Sequence, residues 1–189
     1  MRSGGIDWQF HVATLVRTTD GTWVSIDNVM REPLEAEKWM DDIRDAQKET
    51  GSISDVSPAY YPFYTDNMTW PGSYVLIPGM LYDQYGDVRV LREHYPTMKQ
   101  WLQHMSQYLD GNIMPRDQYG DWCVPPEKPE LIHSEDPARK TPPEVIGTAY
   151  YIHVLDLLAR YAQVLGEEDE AAAFRLQAST MERAFDERF

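Results

Sequence analysis

Residues 141–166 read TPPEVIGTAYYIHVLDLLARYAQVLG, and this stretch decides the fold. It opens as a helix, because Thr141 can cap the first turn, Pro142 fits the first helical position and Glu144 can complete a capping box. Large side chains then recur every three or four residues, which predicts one buried face. That face holds Ile146, Tyr150, His153, Leu157, Tyr161 and Leu165. His153 is therefore expected to be a core histidine, and Gly166 to end the helix.

The same periodicity predicts further helices in the rest of the chain. They cover residues 28–50, 72–85 and 88–109, and a last one runs to the end of the chain. The helix over 88–109 has a clear apolar stripe. Its members are Leu91, Tyr95, Met98, Leu102, Met105 and Leu109. Pro78 predicts a kink or a late start in its helix, and Pro96 predicts a break into two half-helices. His94 and His104 are expected at the surface.

Two long loops, over residues 51–71 and 110–140, separate these helices. Short turns alternate with long loops, which is typical of stacked helical hairpins whose long loops gather on one side. The sequence therefore predicts a mainly α fold of paired antiparallel helices over residues 28–189. Residues 1–27 alternate apolar and polar side chains around a turn signal, which predicts an irregular or β-hairpin-like segment.

The charge of the chain excludes several classes of partner. Its 31 acidic and 17 basic residues give a formal net charge of −14, which repels phosphate backbones and anionic membranes. Neither nucleic acid nor a membrane is therefore expected as a partner. The sequence has no run of about 18 apolar residues and no apolar core of a secretory signal near its start, and it leaves the compartment open. Cys123 is the single cysteine, so an internal disulfide and a Cys-rich metal site are excluded.

The aromatic content, with 12 Tyr, 6 Trp and 5 Phe, favours a carbohydrate ligand, since sugar C–H faces pack on rings and carboxylates accept hydroxyl hydrogen bonds. Glycoside hydrolysis also needs two carboxyl groups across the glycosidic bond. The two long loops concentrate both residue types. The candidates are Tyr64, Asp66 and Trp70 in the first loop, and Asp121, Trp122, Glu135 and Asp136 in the second. No Gly-rich phosphate loop and no metal-ligand set is recognisable, so no cofactor and no metal ion is expected.

Each of these candidates also has a structural interpretation. Trp70 precedes a proline and could close the loop over the helix ends instead of stacking on a sugar. Asp121 could cap a neighbouring element in a turn that buries Trp122. Asp66 suits a turn. His133, Glu135 and Asp136 could form a metal or acid–base cluster, but their position ahead of Pro137 better suits a solvated loop.

Several strings are informative through their order and spacing. They are WMDDIRDAQ (39–47), WPGSYVLIP (70–78), HYPTMK (94–99), YGDW (119–122), and TP at 141–142 followed by AY at 149–150. Together they resemble the catalytic domain of bacterial α-L-rhamnosidases, the six-hairpin glycosidases of glycoside hydrolase family 78. The resemblance covers residues 28–189 and corresponds to a middle section of that domain.

The resemblance implies an (α/α)6 toroid, of which this chain would form an incomplete part, and inverting hydrolysis of terminal α-L-rhamnosides. It places Trp70 and Trp122 at positions of sugar-contacting tryptophans. The family's general-acid string, of the type Asp/Glu-Arg-x-Gly-Trp, is absent from residues 1–27, and its general base would lie beyond the last residue. The family often has an acidic residue two positions after the first tryptophan, where this chain has Gly72.

The resemblance therefore predicts a rhamnosidase segment without either catalytic carboxylate. Should the chain turn over substrate by itself, the acid–base candidates are Asp121, Glu135 and Asp136. Two further interpretations are a non-catalytic carbohydrate-binding remnant of the same fold and a helical protein-interaction scaffold. Part of a closed ring leaves apolar helix faces uncovered, which predicts self-association or marginal stability.

Overall fold

The computed structural model describes residues 14–17, 23–26, 33–59, 63–121, 128–131 and 136–189. The chain divides into two compact units, residues 1–36 and residues 37–189. In the first unit, β1 (Thr14–Arg17) and β2 (Trp23–Ile26) form an antiparallel pair in which Thr14 lies opposite Ile26.

The described residues are mainly helical. The helices are α1 (Pro33–Asp45), α2 (Thr69–Tyr85), α3 (Val88–Ser106), α4 (Pro143–Leu165) and α5 (Glu168–Arg188), with short 3-10 turns at Pro129–Leu131 and Pro137–Arg139. Two residues join α2 to α3 and two join α4 to α5, so each pair folds back as a helical hairpin. Helix α4 packs against α2, α3 and α5. The mainly α fold of paired helices is thus confirmed. Within the described residues, no helix combines the length and apolarity that a bilayer crossing requires.

The ends of the hairpin helices follow local chemistry. Gly86 and Gly166 end α2 and α4 with φ of 67° and 85°, a left-handed conformation that glycine adopts without a side-chain clash. The expected stop at Gly166 is therefore confirmed. Asp87 starts α3, because its carboxylate accepts the backbone N–H of Arg89 at 2.9 Å.

Two predictions about helix starts and breaks are wrong. Helix α4 begins at Pro143 with Pro142 as its cap residue, and no side chain caps it, so the capping box of Thr141 and Glu144 does not form. Helix α3 runs unbroken through Pro96. A proline removes one hydrogen bond to the carbonyl four residues earlier, and here both Pro96 and Arg92 are exposed, so water can solvate that carbonyl.

The core lies where the helices meet. The predicted stripe of α3 is buried except for Leu109, which is half-buried. The buried face of α4 is rotated relative to the prediction. It holds Gly147, Thr148, Tyr151, Val154, Leu155, Leu158, Ala159, Tyr161 and Ala162. His153 is exposed and is not a core histidine. Apolar residues surround most of α4, so the sequence pattern alone does not select the face that three neighbouring helices cover.

The expectation for the two histidines of α3 is also wrong. His94 is 2% exposed, and the side chain of His104 is 9% exposed. Each ring forms a hydrogen bond with a neighbouring segment: that of His94 with the Tyr74 hydroxyl, and that of His104 with the carbonyl of Thr50. The polar ring is therefore compatible with burial on the apolar side of the helix.

Candidate functional site

The site is centred on Trp70, in the first turn of α2. Its ring stacks on the ring of Tyr119 from the second long loop, with centroids 4.2 Å apart and planes inclined by 16°. Trp70 lines two adjoining surface cavities, of about 350 and about 440 Å³. The stacked pair thus forms an aromatic wall, in which Trp70 lines both cavities and Tyr119 lines the second.

The first cavity lies between α1, the first long loop and the start of α2. Its wall includes Trp39, Ile53, Asp55, Val56, Ser57 and Ser73. The indole nitrogen of Trp39 donates to the carbonyl of Ser57 at 2.9 Å, which ties the loop to α1. The cavity therefore offers a second indole together with hydroxyl and carboxyl groups, the combination that suits a sugar.

The second cavity lies between the start of α2, the second long loop and α4. Tyr119, Gly120, Asp121, Thr141, Ile146 and Tyr150 line it together with Trp70. The Asp121 carboxylate accepts the backbone N–H of Thr141 and so bridges the loop to the start of α4. Hydrogen bonds from Thr141 lower the pKa of Asp121, which keeps its carboxylate charged at neutral pH. A charged carboxylate here suits acceptance of sugar hydroxyls and not the donation of a proton.

Asp117 holds the aromatic wall in place. This buried carboxylate accepts the backbone N–H of Thr69 at 3.0 Å, and also those of Tyr119 at 3.0 Å and Gly120 at 2.8 Å. Helix α2 has no cap from its own preceding residue, so Asp117 caps it from the second loop. One side chain therefore fixes the segments that carry both Trp70 and Tyr119.

A second buried carboxylate fixes the hydroxyl end of Tyr119. Asp55 accepts that hydroxyl at 2.9 Å and the hydroxyl of Thr65 at 2.7 Å. Burial and the hydrogen bond to Asp55 raise the pKa of Tyr119, so the phenol stays protonated and donates. Asn67 joins the two loops again, because its side-chain oxygen accepts the backbone N–H of Gln118 at 2.7 Å. The wall is thus braced from both loops.

Two predicted sugar contacts, Tyr64 and Asp66, are not in the lining of either cavity. The Tyr64 hydroxyl donates to the carbonyl of Ala46 at 2.7 Å. Asp66 accepts the hydroxyls of Ser52 and Tyr108, each at 2.6 Å. Burial alone would raise the pKa of Asp66, but these hydrogen bonds and the adjacent His104 hold it below its ordinary value. The geometry favours the turn interpretation of Asp66, which has a φ of 53°.

The remaining predicted site residues are Trp122, Glu135 and Asp136. Trp122 and Glu135 lie outside the described residues. Asp136 is exposed and accepts the backbone N–H of Ala138 at 3.0 Å, as in a loop turn. Of the two acid–base candidates that the structure describes, Asp121 and Asp136, Asp121 lines a cavity.

Trp39 and Asp55 belong to the cavity walls but were not predicted as site residues. Asp117 lies in the second long loop, and no sequence pattern marks it as a cap of α2. The backbone N–H of Thr69 that Asp117 binds lies 48 residues away in the sequence, and no local pattern signals such a contact. The available signal for Trp39 was the string WMDDIRDAQ (39–47), which starts with it.

Comparison with known proteins gives the family. Residues 25–189 match the family profile of the bacterial alpha-L-rhamnosidase 6 hairpin glycosidase domain. The chain belongs to this family. The predicted six-hairpin glycosidase resemblance is thereby confirmed, and the helical hairpins described above are part of that domain.

Individual α-L-rhamnosidases show the same similarity. One from Streptomyces avermitilis is 37% identical over 131 residues, which make up 69% of this chain and 12% of that protein. The solved structure of the α-L-rhamnosidase from Dictyoglumus thermophilum matches 81% of this chain and 16% of its own, with a TM-score of 0.72 and 34% identity. A crystal structure of the S. avermitilis enzyme complexed with L-rhamnose matches 80% of this chain and 13% of its own, with a TM-score of 0.69 and 34% identity. The chain spans less than a fifth of the length of these relatives.

Proposed function

We propose that this chain forms part of the rhamnose-binding cleft of an α-L-rhamnosidase that hydrolyses terminal α-L-rhamnosides with inversion. The observation that carries the proposal is the braced stack of Trp70 on Tyr119 between two open cavities, in a chain of the six-hairpin glycosidase family. The rhamnose complex of the S. avermitilis relative supports the choice of sugar.

The side chains that line the two cavities beside Trp70 suit the binding of a sugar. The C–H faces of a deoxy-sugar pack on aromatic rings, and the charged Asp121 carboxylate can accept a sugar hydroxyl. Inverting hydrolysis needs an acid and a base whose carboxyl groups lie about 6.5–9.5 Å apart. Asp55 and Asp117 are occupied by several donors from the scaffold. We therefore assign sugar contact to this chain and the acid–base pair to carboxylates outside it.

The first test is hydrolysis of a chromogenic aryl α-L-rhamnoside by the purified 189-residue chain. We expect no turnover above buffer from folded protein. Measurable turnover would contradict the assignment of the acid–base pair to other segments, and would direct mutagenesis to Asp121, Glu135 and Asp136.

The second test is a titration of tryptophan fluorescence with L-rhamnose. Binding is expected to be saturable, and Trp70→Ala is expected to weaken it at least tenfold, because one stacking surface is removed. Trp122→Ala is expected to weaken it as well. Tyr85→Ala is a matched control, since this aromatic side chain is 57% exposed and lines neither cavity.

The outcomes of the titration separate the remaining interpretations. Sugar binding with no turnover by the complete enzyme would favour a non-catalytic carbohydrate-binding remnant. Equal rhamnose affinity of Trp70→Ala and Tyr85→Ala would show that the aromatic wall is not the sugar site, and a helical interaction scaffold would then be favoured.

We also propose that the isolated chain self-associates. Leu176 on α5 is 66% exposed and Met80 on α2 is 45% exposed, as expected where a helical ring is not closed. In sedimentation velocity over a hundredfold range of protein concentration, the weight-average mass is expected to increase with concentration. A constant monomer mass together with a sharp thermal transition would contradict this proposal.

A further inference from the structure

A second cluster of polar side chains lies between α1 and α3, and its residues line neither of the cavities beside Trp70. It consists of Asp41 on α1 with Glu93 and His94 on α3, and one ligand atom of each lies within 4.8 Å of the others. A surface cavity of about 130 Å³ opens onto these residues, and Glu37 also lines it. His94 forms the floor at 2% exposure, whereas the side chains of Glu93 and Asp41 are 59% and 45% exposed.

A chain of hydrogen bonds at Nδ1 allows the tautomer of His94 that a metal ion requires. The Thr97 hydroxyl lies 2.8 Å from the carbonyl of His94 and 2.5 Å from the Tyr74 hydroxyl. When Thr97 donates to this carbonyl, it accepts from Tyr74, and the Tyr74 oxygen then accepts from Nδ1 of His94 at 3.0 Å. This arrangement places the ring proton on Nδ1 and leaves the lone pair of the neutral ring on Nε2.

This lone pair faces the carboxylates. Nε2 of His94 lies 3.8 Å from Oδ1 of Asp41, too far for a hydrogen bond. A nitrogen lone pair and a carboxylate that face each other are both electron donors, and a cation between them makes the arrangement favourable. The hydrogen bond from Nδ1 to Tyr74 is the outer support that metal-binding histidines usually have.

Arg44 is the competitor for this position. Its guanidinium lies 2.6 Å from Oδ1 of Asp41 and donates to Oε1 of Glu93 at 2.9 Å. The Arg44 side chain is 31% exposed on the surface of α1 and can turn toward solvent. A cation that binds all three ligands therefore has to displace it, and Arg44 sets the affinity of the site.

We propose that Asp41, Glu93 and His94 form a binding site for a divalent transition metal ion of the Zn²⁺ type. One imidazole nitrogen with two carboxylates is a donor set that Zn²⁺ accepts, whereas Ca²⁺ and Mg²⁺ prefer oxygen alone. The exposed carboxylates can move inward to reach zinc distances of about 2 Å. No local sequence pattern signals this site, because its ligands come from two helices that are far apart in the chain.

The test is isothermal titration of the 189-residue chain with Zn²⁺ alone, in a buffer that does not bind metal. We expect one saturable site. Glu93→Gln is expected to weaken binding at least tenfold, and Arg44→Gln to strengthen it severalfold, because a competing positive charge is removed. Glu182→Gln matches the charge change of Glu93→Gln at an exposed position of α5, and it is expected to bind Zn²⁺ as the wild type does.

His94→Gln removes the nitrogen ligand and is expected to abolish the site. Because His94 is buried, its folding is checked by circular dichroism. If this variant does not fold, the Glu93→Gln and Arg44→Gln variants test the proposal. Both of these side chains reach solvent, with exposures of 59% for Glu93 and 31% for Arg44. Equal Zn²⁺ affinity of Glu93→Gln and Glu182→Gln, weaker binding by Arg44→Gln, or Ca²⁺ binding as tight as that of Zn²⁺ would each overturn the proposal. None of these readouts depends on rhamnoside activity.

Discussion

Asp117→Asn is expected to loosen the aromatic wall and to destabilise the chain. An asparagine keeps one oxygen for the N–H groups of Tyr119 and Gly120, but turns an amide N–H₂ toward the N–H of Thr69. Loss of a hydrogen bond to a charged group costs about 1.5–3 kcal/mol, and loss of the negative charge at the start of α2 adds about 0.3–1 kcal/mol. The free energy of unfolding should therefore fall by about 2–4 kcal/mol.

Urea unfolding followed by far-UV circular dichroism measures this change. A loss of this size corresponds to a fall in Tm of roughly 4–16 °C for a chain of this length, provided that unfolding is cooperative. Near-UV circular dichroism at 20–25 °C reports whether Trp70 still stacks on Tyr119. Asp156→Asn is the control, because Asp156 is an exposed residue of α4 and the same change there removes a charge without altering the start of α2. A stability of Asp117→Asn within about 0.5 kcal/mol of wild type would refute the capping role.

Two further predictions concern packing and pH. A Cβ on Gly147 would lie 2.6 Å from the carbonyl oxygen of Met114, so Gly147→Ala is expected to lower stability by about 1–3 kcal/mol in a urea titration. The control is Gly72→Ala in α2, where the added Cβ would make an ordinary contact with Trp101 at 3.7 Å. The free energy of unfolding of this variant should stay the same or rise by up to about 1 kcal/mol. A comparable loss in both variants would contradict the packing argument. The pKa of Asp66 is lower in the folded chain than in the unfolded one, so its contribution is present above about pH 4 and is lost as the pH falls through the folded value. Asp66→Asn should therefore be less stable than wild type at pH 7, with a smaller difference at pH 3; a constant difference between these pH values would rule the linkage out.

Local patterns predicted much of the secondary structure. The stripe of α3 from Leu91 to Met105 was correct, since a helix that faces one neighbouring layer has a single apolar side. Gly166 ended α4 as expected, because a left-handed residue at a helix end is a local requirement. Trp70 was expected in the first long loop, but it lies in the first turn of α2, where it lines both cavities.

The predictions failed where a contact with a residue remote in the sequence replaced the predicted local one. Asp121, and not Glu144, forms the side-chain hydrogen bond at the start of α4. His153 is exposed because the packing of three helices selects another face of α4. Asp66 was predicted to contact sugar, but its carboxylate accepts the hydroxyls of Ser52 and Tyr108 and so stabilises the fold.

The sequence by itself therefore determined the helices, their pairing into hairpins, the acidic charge and, through the order of its motifs, the family. These properties depend on residues that are neighbours in the chain. Tertiary structure alone decided that Asp117 caps α2, that Tyr119 stacks on Trp70, and that His94 turns its Nε2 toward Asp41. Each of these contacts joins segments that are remote in the sequence, and their distance and direction exist only after the helices have packed.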